Sequence, residues 1–172
     1  DLSKVEGPMK RLILIRHAKS SWDQIDLADR ARPLNARGLK NAPMMGDVLC
    51  QKGVRPDKIF SSPAVRAHAT AELIAGRLDY PKSKIQIREE LYMTSPERCL
   101  ELVNQIPPQL NEVCLVFHNP DITLLGLMLC DQCPLHLPTC SCLALEFEVD
   151  EWAFIMPNSG RLNFYEYPKK YT

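Results

Sequence analysis

Four aliphatic residues, Leu12-Ile13-Leu14-Ile15, run without interruption into Arg16 and His17. An apolar run this short reads as a strand buried on both faces, the kind found in parallel sheets with helices on either side. Similar runs return at Asp57 to Ser61, centred on Lys58-Ile59-Phe60, and at Val113 to Phe117. Lys84 to Ile87 is a shorter strand with alternation. Between them the period lengthens. Leu39, Ala42, Met44, Met45, Val48 and Leu49 stripe one face of a helix ending near Gln51, with Asn35 suited to its N-cap and Gly53 to its C-cap. Ser62-Pro63 opens a second helix over Ala64 to Arg77, with Ser at the N-cap and Pro in the first turn. Ser95-Pro96-Glu97 starts a third, which runs to about Ile106 and is stopped by Pro107-Pro108. Asn119-Pro120-Asp121 begins an apolar helix to Leu129. Lys19 to Pro33 is polar and without a period, so it reads as a loop.

After Cys130 the pattern changes. Cys142 to Val149 alternates with a period of two, which predicts a half-buried strand. Trp152 to Met156 and Arg161 to Tyr167 read as a terminal strand pair turning at Asn158-Ser159-Gly160. The order predicts an α/β domain: three layers, α/β/α, with a mostly parallel central sheet and a β-rich C-terminal part. The 172 residues suit one domain. Residues 1–8 are polar and lack the apolar core of a secretory signal. They read as a disordered leader or expression remnant, with Met9 the expected start and a single domain over 9–172.

Composition narrows the partners. Lys plus Arg and Asp plus Glu both number 21, so the net charge is zero and a general nucleic-acid binder is disfavoured. No apolar run approaches the ~18 residues that span a membrane. The 7 Cys are odd in number and scattered through apolar segments, unlike a secreted disulfide framework. A cytoplasmic location is expected. The spacing of Cys130, Cys133, Cys140 and Cys142 fits a zinc knuckle poorly, and buried thiols are the expected reading.

Two strands end alike. The first delivers Arg16 and His17, the fourth His118 and then a helix start at Asn119-Pro120. Between them, Ser61-Ser62-Pro63 opens a helix whose first turn carries Arg66. Ligands of open α/β sheets bind beyond the carboxyl ends of strands. Two arginines, two imidazoles and free helix N–H groups at one edge make a pocket for a dianion, and phosphate fits the guanidinium fork. A histidine can accept a phosphoryl group if one ring nitrogen is unprotonated, and nearby cations lower its pKa and keep it so.

Arg16-His17-Ala18-Lys19-Ser20, Ser61-Ser62-Pro63-Ala64-Val65-Arg66-Ala67 and Phe117-His118-Asn119-Pro120 resemble the three motifs of the histidine phosphatase superfamily, the phosphoglycerate mutase-like fold. Asp29-Arg30-Ala31-Arg32-Pro33-Leu34, Leu137-Pro138-Thr139 and the short length resemble its SixA branch, the phosphohistidine phosphatases. The resemblance runs from about Lys10 to Lys169. It implies that His17 is phosphorylated during turnover, that Arg16 and Arg66 clamp the phosphoryl group, and that His118 donates to it. Arg32 and Asn119 would contact substrate. It implies no metal and no other cofactor.

The sequence departs from the family at Ala18, where Gly is usual, at Phe117, and at Asn119, where one branch places an acid. Another branch draws its general acid from the segment after the third strand, where Glu90 is the candidate. A site with a weak acid favours substrates whose leaving group is an imidazole over alkyl phosphates. The expectation is a phosphatase acting through phospho-His17 on protein phosphohistidine, through a fairly open cleft. The alternatives are a phosphatase of small phosphorylated metabolites and a non-catalytic phosphoryl-binding module. His68 and His136 are expected to be structural.

Overall fold

A computed structural model describes residues 7–172. The expectation for residues 1–8 falls mainly on residues outside that range. Six strands form one sheet: β1 (Lys10–Arg16), β2 (Lys58–Ser61), β3 (Gln86–Ile87), β4 (Glu112–Phe117), β5 (Cys142–Phe147) and β6 (Arg161–Glu166), in the order β3-β2-β4-β1-β5-β6. β3, β2, β4 and β1 pair in parallel, and β5 runs antiparallel to both β1 and β6.

Four helices cover the sheet: α1 (Ala36–Gln51), α2 (Val65–Arg77), α3 (Pro96–Asn104) and α4 (Asp121–Leu129). Strand alternation sorts them. Ile13 and Ile15 face a core built with Ala42, Met45 and Leu49 of α1 and Ala67, Ala71 and Ile74 of α2. Leu12 and Leu14 face the opposite core, with Leu102 and Val103 of α3 and Ile122, Leu125 and Leu129 of α4. Each residue from Leu12 to Ile15 is fully buried, as a central strand requires. Asn35 caps α1 by accepting from the Gly38 N–H at 2.9 Å. A Cβ at Gly38 would lie 2.2 Å from the Lys19 carbonyl oxygen. Glycine there lets α1 press against the exit of β1.

Three expectations change. Cys142, Leu143, Ala144 and Leu145 are all buried, because β5 lies inside the sheet with cores on both faces. Trp152 to Met156 is not a strand. Residues Trp152–Phe154 form a 3-10 turn, and Trp152 enters the core, its indole N–H on the Leu110 carbonyl at 2.6 Å. The Asn104 amide holds the Trp152 and Ile155 carbonyls, which a ladder would otherwise need. β6 therefore pairs with β5 instead. Finally, Ser62 is not the N-cap of α2, which begins at Val65. Cys130 and Cys133 pack on one face of the sheet and Cys140 and Cys142 on the other, so the four thiols do not converge.

Candidate active site

β1 and β4 are neighbours, yet the chain leaving β1 turns to α1 on one face and the chain leaving β4 to α4 on the other. Diverging connections open a crevice at their carboxyl ends, the usual ligand site of such sheets. His17 and His118 stand on either side of it, with ring centroids 5.1 Å apart. The His17 N–H donates to the Phe117 carbonyl and the Ser62 N–H to that of Val116, so three strand exits are tied together.

His17 is 8% exposed. Its Nδ1 lies 2.7 Å from the Ala18 carbonyl, which can only accept. Nδ1 therefore carries the proton, and the Nε2 lone pair is free. Burial pushes the ring down to about 4; the Ala18 carbonyl opposes this, and Arg66, Arg16 and Arg32 add to it. His17 is thus neutral at physiological pH. Ala18 is held in turn by its N–H on Thr70 Oγ1 at 3.0 Å, and the turn accommodates its methyl group with no exposure.

His118 Nε2 meets Ser62 Oγ at 2.7 Å, and that oxygen also accepts the Ala64 N–H. With the Ser62 hydroxyl donating to Nε2, the tautomer that leaves Nδ1–H facing the crevice, the imidazole proton sits on Nδ1. Burial, aided by His17, Arg66 and Arg16 and opposed by Asp29, pushes His118 down to about 3. Arg16 is anchored through Nη1 on the Leu137 carbonyl at 2.7 Å. Arg66 is 6% exposed; its Nη1 donates to the Asp29 carbonyl at 2.7 Å and its Nη2 to Asp29 Oδ2 at 3.0 Å.

Among the described residues, four buried side-chain polar atoms lack a hydrogen-bond partner, and three of them are Arg16 Nε, Arg66 Nε and His118 Nδ1. Buried donors are normally satisfied. Their clustering at one crevice marks a place that calls for an oxyanion.

The sequence-predicted residues divide. His17, Arg16, Arg66 and His118 converge. Arg32 is buried beside them, with Nη1 on Ser20 Oγ at 2.7 Å and its guanidinium 3.6 Å over the Trp22 ring. Asn119 lines the crevice but commits its amide, accepting from the Thr123 hydroxyl and donating to the Leu137 carbonyl. Glu90 is not brought to the cluster. It pairs with Arg88 at 3.1 Å and lines a different hollow beside Arg98 and Glu101. His68 faces Glu72 on the half-exposed side of α2, and His136 lies in an exposed loop.

Four residues join the site without a sequence signal that assigned them there. Ser62 orients His118. Asp29 bridges Arg66, Arg32 at 3.2 Å and the Tyr92 hydroxyl at 2.7 Å. Burial would raise the Asp29 carboxyl, but Tyr92, Arg66 and Arg32 hold it at about 2. Tyr92 sets its ring edge toward His118 at 5.5 Å. Asp121 lines the same hollow, about 210 Å³ in volume, with Asp29, Arg66, Tyr92 and His118. Burial raises the Asp121 carboxyl, and no cation pairs with it among the described residues. The stretch around Asp29 carried the one available hint, an acid three residues before Arg32.

Residues 12–92 match the profile described as histidine phosphatase superfamily (branch 1). Over 165 residues the chain is 26% identical to an uncharacterized chloroplastic protein of Arabidopsis thaliana, covering 88% of this chain and 73% of that protein. Over 86 residues it is 33% identical to the mitochondrial serine/threonine-protein phosphatase Pgam5 of Drosophila melanogaster, covering 49% of this chain and 29% of that protein. Among solved structures, a candidate phosphohistidine phosphatase SixA from Nakamurella multipartitia superposes with a TM-score of 0.81 at 21% identity, covering 94% of this chain and 98% of that one. One from Agrobacterium tumefaciens gives 0.76 at 26% identity, covering 92% and 99%. The protein histidine phosphatase SixA complexed with tungstate gives 0.76 at 22%, covering 94% and 99%.

Proposed function

We propose that this chain, whose residues 12–92 match the histidine phosphatase superfamily (branch 1) profile, hydrolyses phosphohistidine on a protein through a covalent phosphoryl intermediate on His17. The observation that carries this reading is the His17 ring: neutral, its Nδ1 proton committed to Ala18, its Nε2 free at a crevice of unsatisfied donors. In the first step Nε2 attacks phosphorus and the bond to the leaving nitrogen breaks; the substrate ring, already protonated on its other nitrogen, departs as neutral imidazole and needs no proton from the site. Arg16, Arg66 and the His118 Nδ1–H hold the phosphoryl oxygens. The His118 Nδ1–H bond strengthens as negative charge builds on the phosphoryl oxygens in the transition state. In the second step water attacks the phosphorus on His17, the P–N bond breaks, and phosphate leaves with His17 restored.

Three features support phosphohistidine over other phosphates. Glu90 is turned away to Arg88, which leaves the site without a dedicated strong acid, and an imidazole leaves more readily than an alkoxide. The hollow is small and opens to the surface, so a group carried on another protein can reach it. The fold is that of the SixA structures. One observation favours a second reading, turnover of oxygen phosphomonoesters: Asp121 is a carboxyl of raised pKa in the hollow, able to protonate a more basic leaving group.

The buried free thiols fit a reducing compartment, and a cytoplasmic location remains part of this proposal. The test is an acid-labile, base-stable phosphate on the protein after mixing with phosphohistidine, absent in His17→Ala, together with turnover compared across phosphohistidine, aryl and sugar phosphates. Binding of phosphate analogues with no adduct and no turnover would leave a binding module instead.

A further inference from the structure

A second hollow, about 310 Å³, lies at the same end of the sheet as His17. Glu166 pairs with Cys142, and Cys142 with Ile15, so Tyr167 emerges from β6 level with the exit of β1. β6 is two strands from β1, which sets the hollow roughly 10 Å from the reacting centre at about 4.8 Å per strand. One wall is the Pro138-Thr139 turn. The residue before that turn, Leu137, accepts from Arg16, and the residue after it, Cys140, donates to the Arg16 and His17 carbonyls.

The lining has a definite chemistry. Arg37 and Asn41 come from one face of α1, a turn apart, and Lys169 comes from the turn after β6. Neither Arg37 nor Lys169 has an acidic partner among the described residues, and no Asp or Glu lines the hollow. Asn41 is 7% exposed, and its amide makes no hydrogen bond among the described residues. The amide atoms are open to the hollow rather than sealed in the core, so they are free to bond a guest. The Tyr165 and Tyr167 rings, 5.2 Å apart, give an apolar wall. Two cations, a free amide donor and apolar rings suit a carboxylate on a short methylene stem.

We propose that this hollow is the subsite for an acidic side chain of the protein substrate, two or three residues from the phosphorylated histidine. The spacing follows from the roughly 10 Å separation and about 3.3 Å per extended residue. The inference rests on the phosphohistidine reading of the His17 site and names the kind of partner that site takes: a protein with an acidic flank. Free phosphohistidine reaches His17 without using the hollow.

The test compares phosphohistidine peptides with Glu, Gln or Lys at the second and third positions on either side. The expected result is a kcat/KM about five- to twentyfold higher for a Glu peptide than for its Gln counterpart, carried by KM. Arg37→Glu with Lys169→Glu, both exposed, should reverse the preference toward Lys and leave turnover of free phosphohistidine unchanged. Equal kcat/KM for the three peptides with the unaltered protein overturns the proposal, as does a Glu preference that survives the charge reversal. A second readout is independent of turnover: the Asn41 side-chain amide resonance should shift on titration with an unphosphorylated acidic peptide, and an unmoved resonance also overturns it. Failure of free phosphohistidine turnover, with Asn41 still responding, would instead strike the reading of the His17 site.

Discussion

Asp29 puts a fixed negative charge against the arginine that is to clamp a phosphate, and replacing it tests the electrostatics of the site directly. In Asp29→Asn the side-chain shape stays and the charge goes. Asp29 Oδ2 lies 3.0 Å from Arg66 Nη2. A phosphoryl oxygen bound to the same guanidinium at about 2.9 Å would put the two anions about 5 Å apart. At that distance each pair of unit charges costs about 0.8 kcal/mol in water-like surroundings and about 3 kcal/mol at an effective dielectric near 20. The Asp29 side chain is 52% exposed, so the lower end applies. Doubled for a dianion, the repulsion is about 2 kcal/mol.

An opposing effect is the loss of a carboxylate that orients Arg66. It should be smaller. Arg66 Nη1 is also held by the Asp29 backbone carbonyl at 2.7 Å, which the substitution keeps, and the new amide oxygen can still accept one of the three donors. The expected result is inorganic phosphate inhibition about ten- to thirtyfold tighter than in the unaltered protein, read as a competitive constant against aryl phosphate hydrolysis. Because the Asp29 carboxyl is held at about 2, the difference should persist across pH 5 to 8. Unchanged or weaker phosphate inhibition would refute the reasoning and make Asp29 chiefly a support for Arg66. The expected tightening would mean that the wild-type carboxylate keeps product phosphate from lingering on the clamp.

Two further predictions follow from the same groups. Asp121→Asn should slow alkyl phosphate hydrolysis at least tenfold while changing activated aryl phosphates little, since only a basic leaving group needs its proton; equal losses across leaving groups would remove Asp121 from proton transfer. Stability should fall on acidification: His17 and His118 sit at about 4 and about 3 when folded, against about 6.5 unfolded, so the unfolded chain binds more protons below pH 6.5. Their contribution is fully present above 6.5 and is lost as pH falls toward 3, about 3–5 kcal/mol between pH 7 and 4.5 for the pair. Urea unfolding at the two pH values checks this, and a loss unchanged in His17→Asn/His118→Asn would assign it to other groups.

What could be read along the chain and what could not differ by the reach of the interaction. Arg16 and His17 end an apolar strand, as His118 ends another, and a strand exit is a local pattern. The α/β alternation implied parallel strands, and the fold, by pairing β1 with β4, makes the two exits neighbours. The reading failed where one pattern serves two environments. The alternation over Cys142 to Val149 describes a strand with one wet face, yet β6 and two cores leave β5 none from Cys142 to Leu145. Trp152 to Met156 has strand composition, but one indole drawn into the core turns it into a 3-10 bend. Ser62 was legible as a cap, and capping is the same chemistry it performs on Ala64; its second bond, to His118, depends on a residue 56 positions away. Asp29 is the extreme case. In sequence it is one acid in a charged loop, and by composition alone a carboxylate argues against a phosphate site. Folding brings it to Arg66, 37 positions on, and to Tyr92, 63 positions on. There the carboxylate neutralises part of a cation cluster that would otherwise stand uncompensated in the free protein. A site built to hold an anion briefly needs such an internal counter-charge, and only the fold shows which acid supplies it.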